Sequence, residues 1–436
     1  MTQLEQFIQD TAIVNTHEHL VKEDAWTAAG QAQTGPDIVS ELFSGYLSSD
    51  LLTAGATPEA VEAATTPTGI DIAKRFEGIR EAWEMSQLTG YGEAARITAK
   101  LVYGMDRITG DALEAAQDVS KANRVPGRRH SLLSETGNID HVQIDDFVRP
   151  CEPDPSGLDF FLYDLSWVSF CQGAVEVPEI LEQVGVEVKD VATYREAVTA
   201  IFQRWGPTAI AVKTQHAYGR TLRWTEQTDA DAAKVLAKVL AEKPVSQDEL
   251  DCLGDWGFAR GIEQAMQHNL PIKIHTGYYA GNRSMIVDRI RPGHLAPLLI
   301  KYPDAKFVLM HIGYPYEDEI IALAKHFPNV YVDMCWAWSI DPYASCRFVR
   351  KMIHAAPINR LFGFGGDTFC PSASVGYAMQ ARAWLNRALQ AEIDQGLLSE
   401  DQAIQLAERF MRANQLSCFD LNGTRAAIHA AAAAPA

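Results

Sequence analysis

No stretch of this 436-residue chain approaches 18 consecutive apolar residues, so nothing in it reads as a membrane span. Its seven cysteines are scattered, odd in number and without a CxxC pair, which points to reduced thiols in a cytoplasmic protein. The opening MTQLEQFIQD has neither a basic start nor an apolar core, so no secretory signal is expected. Positive charge is short as well. Thirty-eight Lys and Arg stand against 56 Asp and Glu, and a net charge of −18 argues against a nucleic-acid surface. A small substrate escapes that argument, because a few local arginines can still make a positive pocket. What the chain does have is 47% apolar and 22% charged residues, enough for a sizeable core. The length suits two average domains or one large barrel with insertions.

The most informative stretch is Ala12 to Leu20, AIVNTHEHL. Successive side chains of a strand point to opposite faces, so His17 and His19 would leave one face together while Glu18 points away. Two neutral imidazoles side by side make poor core filler and a good pair of ligands for a divalent metal. Taken alone, the pair could equally be a strand leaving for solvent.

After this strand (residues 1–20) comes a mostly helical stretch, Val21 to Ser134. Gly69–Leu88 and Tyr91–Gly104 carry apolar residues at helical spacing, among them Ile72, Phe76, Ile79 and Trp83. It is expected to be a helical insertion able to cover a site or build a contact between copies of the chain. From 135 to 398 short apolar runs alternate with helices. The runs are Ile139–Phe147, Asp159–Ser169, Thr208–Thr214, Leu270–Thr276, Lys306–Ile312, Asn329–Met334 and Arg360–Asp367. Near-continuous apolar strands joined by helices indicate a parallel sheet covered on both sides, and eight such units spell a (β/α)8, or TIM, barrel. Residues 399–436 add a helix, Ser399–Cys418, and an Ala-rich tail expected to fray.

Active-site residues of such a barrel project from the C-terminal strand ends. His17 and His19 end strand one, His275 ends strand five, His311 strand six and Asp367 strand eight. Four of the twelve histidines therefore fall on three strand ends, a concentration that predicts a metal site. Lys213 ends strand four. It could pair with a buried carboxylate or a substrate anion, or be carboxylated by CO2 to bridge two metals. Asp367 is the natural proton carrier, since a carboxylate beside a metal-bound water can take its proton and pass it on. It could also be a plain helix cap, although the preceding Gly365 and Gly366 suggest close backbone approach at the barrel mouth. Arg220, Arg223 and Arg283, just beyond strands four and five, could hold a substrate carboxylate or form surface salt bridges. Trp336 could wall the pocket or pack a loop.

The ordered set HxH, Lys, His, His, Asp resembles the amidohydrolase superfamily over nearly the whole chain. KIHTG (Lys273–Gly277), LMHIGYPY (Leu309–Tyr316), NVYVDM (Asn329–Met334) and FGFGGDTF (Phe362–Phe369) are similar to its amidohydrolase-related group, including the domain sometimes fused to glutamine-synthetase-like modules. The resemblance implies that His17, His19, His275 and Asp367 ligate a divalent metal, usually zinc and sometimes manganese. His311 would ligate a second metal or donate a hydrogen bond to substrate. It further implies hydrolysis of an amide, ester or lactone-type bond in a small polar, carboxylate-bearing molecule. Uronate isomerases and some aromatic-acid decarboxylases share the superfamily and stand as alternatives, followed by a non-catalytic binding barrel.

Overall fold

The structure, a computed structural model, describes residues 1–32, 35–67 and 71–433. Eight parallel strands follow one another around a single sheet in chain order. They are β1 (Ile13–Glu18), β2 (Ile139–Ile144), β3 (Phe161–Ser166), β4 (Ala209–Thr214), β5 (Ile272–Ile274), β6 (Phe307–Leu309), β7 (Val330–Asp333) and β8 (Leu361–Phe362). Almost every strand residue is buried, as expected when helices cover the outside and side chains fill the inside. The barrel closes through backbone bonds from Thr16 N to Phe364 O (3.1 Å), Asp367 N to His17 O (2.9 Å) and His19 N to Thr368 O (2.9 Å). The architecture is thus a (β/α)8 barrel, and its seam carries His17, His19 and Asp367.

β5, β6 and β8 are shorter than their apolar runs suggest. Past β6, β7 and β8 the chain turns instead of extending, and His311, Trp336 and Asp367 take left-handed backbone angles (φ 63°, 60° and 56°) that a ladder cannot hold. Non-glycine residues in that region cost energy and tend to gather at functional sites.

Between β1 and β2 the described elements are helices, from Glu23–Gln31 to Arg128–Ser131. Thr57, Asp71, Thr89 and Thr109 each cap a helix start with a side-chain oxygen. The segment expected to begin at Gly69 starts partly outside the described residues; its helix is Ile72–Ser86. This layer packs on the long helix Pro371–Asp394. Gly376 permits that approach, since a Cβ there would meet Thr98 Oγ1 at 2.0 Å. The Ala-rich tail does not fray where expected. Leu421–Ala433 is helical because alanine favours helix and because Leu421 and Ile428 bury against Leu162, Ile210 and Phe362. Residues 434–436 lie outside the described residues. All seven cysteines are unpaired. No helix among the described residues is long and apolar enough to cross a membrane.

Candidate metal centre

Alternation along β1 sends His17 and His19 to the same side, and their Nε2 atoms lie 3.3 Å apart. Asp367 Oδ1 is 3.2 Å from each. The other carboxylate oxygen, Oδ2, faces His311 Nε2 at 3.8 Å, and His311 Nε2 is 2.9 Å from His275 Nδ1. Lys213 Nζ lies 3.1 Å from His17 Nε2, donates to Gln215 Oε1 at 2.9 Å and stands 3.9 Å from Asp145 Oδ2. All these side chains except the half-buried Gln215 are buried.

The tautomers decide what this cluster can hold. A backbone carbonyl only accepts, so a ring nitrogen bonded to one must carry its hydrogen. His19 Nδ1 donates to Asp145 O (2.6 Å), His311 Nδ1 to Cys335 O (2.9 Å) and His275 Nε2 to Tyr278 O (2.9 Å). The remaining nitrogens therefore turn lone pairs toward one another and toward an anionic carboxylate. Protons do not relieve this at neutral pH. Burial pushes the His275 imidazole well down and that of His311 down to about 4. Burial works to raise Asp367, but the His17 and His19 rings set against it hold it well below the usual carboxylate range. Donors about 3.2 Å apart also match a tetrahedral cation with bonds of roughly 2.0–2.1 Å. The donor set fits a divalent metal. Ligand atoms of His17, His19 and Asp367 lie within 4.8 Å of one another, and so do those of His311, Cys335 and Asp367.

The polar groups below hold this cluster in place. Lys273 Nζ donates to both oxygens of Asp164 (2.9 and 2.8 Å) and to Thr16 O (2.7 Å), and Asp164 Oδ2 lies 3.7 Å from His17 Nδ1. Glu18, pointing away from the histidines, accepts from Asn15 Nδ2 (2.7 Å), Ser374 Oγ (2.5 Å) and Thr368 N (2.6 Å). Gly366 must be glycine here, because a Cβ would sit 2.0 Å from Glu18 Oε1. Asp367 is not a helix cap. The following helix starts at Pro371 after Cys370, with no side-chain cap.

Above the cluster opens a cavity of about 350 Å³ lined by His19, His275 and Asp367 together with aromatic side chains. Tyr46 reaches it from the helical layer after β1 and donates its hydroxyl to Asp367 O at 2.5 Å. Phe147, Tyr218 and Phe369 complete the aromatic lining, with Gln172 and Gln215 as neutral polar groups. The arginines expected to meet a substrate carboxylate stand elsewhere. Arg220 is buried and bonds Asp255 Oδ1 (2.5 Å) and the carbonyls of Cys171, Asp251 and Arg223, so its guanidinium is fully engaged. Arg223 borders a separate depression with Asp288 and Arg291. Arg283 is exposed in the loop after β5 and does not line the cavity. Trp336 is buried beneath the wall, stacked on Tyr46 at 4.1 Å and edge-on to His311.

Sequence reasoning missed Glu18 as a strap and Asp145, Asp164, Cys335, Tyr46, Phe147 and Phe369 altogether. Asp145, at a strand end, carried the one signal that could have been read.

Residues 178–403 match the family model described as Amidohydrolase. Protein fluG of Emericella nidulans is 27% identical over 206 residues, 46% of this chain; the chain's match spans only 23% of that relative's length. Among solved structures, uronate isomerase from Thermotoga maritima superimposes with a TM-score of 0.78 at 14% identity, covering 96% of both chains. Glucuronate isomerase from Caulobacter crescentus gives 0.75 at 17% identity over 95% of this chain and 92% of its own. At these identities the likeness is one of fold.

Proposed function

This chain belongs to the amidohydrolase family, and from that membership and the geometry of its centre we propose that it is a metal-dependent hydrolase of an amide, ester or lactone-type bond. The observation that carries the reading is the position of Asp367, with one oxygen on the His17–His19 pair and the other turned toward His311 and the cavity side. His17, His19 and Asp367 would hold the ion, with His275 and His311 beside it. The imidazole-rich set suits zinc ahead of manganese. Such an ion lowers the pKa of water toward about 7 and polarises a carbonyl. Asp367, ionised at neutral pH, accepts the proton released by the attacking water and returns it to the leaving group. His311, fixed by Cys335 O, presents Nε2 toward the same space. Tyr46 pins the backbone of Asp367 from above and narrows the entrance.

No arginine or lysine lines this cavity among the described residues, so the carboxylate of a sugar acid would have only the ion itself to seat it. The hydrolase reading is therefore preferred. Zinc-loaded protein incubated with amide, ester and lactone panels in 18O-labelled water should release products carrying the label. Interconversion of a uronate without incorporation of water oxygen would overturn it.

A further inference from the structure

We propose that the cavity selects a neutral, flat, ring-bearing substrate whose ring lies against Phe147 and Phe369. This deepens the hydrolase reading and rests on it for the reaction, while the selection itself follows from the cavity wall. Phe147, His19 and Phe369 form an offset stack. Phe147 lies 4.2 Å from His19 at an interplanar angle of 6°, Phe369 lies 5.2 Å away at 18°, and the two phenyl rings are 6.3 Å apart. Both phenyl rings line the cavity, yet they remain 48% and 54% exposed. Large exposed aromatics beside a buried polar centre are costly to leave in water and point to an apolar occupant.

The placement of Phe147 strengthens the argument. It follows β2 in a left-handed backbone conformation (φ 65°), strained for a bulky residue, and its N–H is held by Asp145 Oδ1 at 3.0 Å. That bond fixes an exposed ring over a metal-ligand imidazole. No core packing need accounts for it.

Charge completes the selection. The polar lining offered to a substrate is neutral, from Gln172, Gln215 and Tyr218, and Asp367 contributes a negative charge. Arg220 is sequestered by Asp255, and Lys213 is turned into Gln215 and the histidines beneath the lining. A carboxylate entering here would lose its water without gaining a cation from the wall. Its remaining partner would be the ion itself, where it would take the place of the reacting carbonyl. A neutral ring with a carbonyl instead stacks on the phenyl faces and leaves its carbonyl for the centre.

Ligand-observed NMR titration of the full chain loaded with zinc tests this without requiring turnover. The probes are benzamide, 2-naphthamide, benzoate and glucuronate. The aromatic amides should bind at least about 10-fold more tightly than glucuronate and benzoate. The double variant Phe147→Ala/Phe369→Ala should weaken the amides about 10-fold with metal content and glucuronate binding unchanged. Glucuronate or benzoate binding as tightly as the amides, no amide binding, or amide affinity indifferent to both substitutions would each overturn the proposal. Because binding is read apart from product formation, a failure here and a failure of the 18O experiment are separate results.

Discussion

Glu18 and Thr368 stand 350 residues apart, and the carboxylate of the first accepts the backbone N–H of the second at 2.6 Å. The bond ties the residue between His17 and His19 to the residue after Asp367, so both halves of the candidate metal centre hang on one buried side chain. Glu18→Ala strands the donors of Asn15, Ser374 and Thr368, each unmet buried donor costing about 1–3 kcal/mol. The variant should lose roughly 3 kcal/mol of stability in urea and bind metal about 10- to 100-fold more weakly in chelator competition. Native metal affinity in a folded Glu18→Ala protein would show that the strap does not set the site.

Lys273 and Asp164 form a fully buried pair beneath His17. Burial works to raise the Asp164 carboxyl, but Lys273 and His17 hold it below its ordinary value, so it stays charged. Lys273→Met leaves that charge unpaired and should destabilise the protein by about 3–5 kcal/mol, with the double variant Lys273→Met/Asp164→Leu recovering much of the loss. Equal destabilisation of the single and double variants by thermal unfolding would rule out the pair as the cause.

Asp333, at the end of β7, is pushed up to about 7 by burial, from an ordinary 3.8. Between these values the folded protein holds a proton that the unfolded chain releases, so stability falls as pH rises through that window, by at most about 4 kcal/mol. Glu18, raised to about 7 by burial, adds a slope of the same sign. The depressed His275 and His311 imidazoles add slopes of the opposite sign in this range, so the assignment is read as a difference: from pH 4 to 7, metal-free Asp333→Asn should lack one proton's worth of the fall in stability relative to the parent protein. Identical slopes in the two proteins would contradict the assignment.

Much of this arrangement was legible from alternation and strand ends. The apolar runs before His17, His275, His311 and Asp367 placed those side chains at one barrel face, because a parallel barrel leaves its strand ends nowhere else to go. The arginines were not legible. Arg220 lies near the same face in sequence, but Asp255, 35 residues further on, captures its guanidinium, and nothing local reveals that partner. Tyr46, Phe147 and Phe369 escaped notice because loops and the helical layer deliver them, Phe147 in a left-handed conformation of its own and Phe369 two residues past left-handed Asp367, which no periodicity records. The tail was misjudged because composition alone did not show the barrel-end groove that receives Leu421 and Ile428.

With a hydrolysed substrate in hand, Asp367→Asn preserves shape and one metal-facing oxygen but cannot accept the proton. Turnover should fall by about 100- to 10,000-fold with part of the metal retained. Undiminished turnover would remove Asp367 from proton transfer.

The account stands most directly on the ion. Elemental analysis of gently purified protein should find close to one equivalent or more of a divalent metal, with zinc foremost. The double variant His17→Ala/His19→Ala, folded by circular dichroism, should retain almost none. Full metal retention in that variant would contradict a centre built on β1 and the turn after β8.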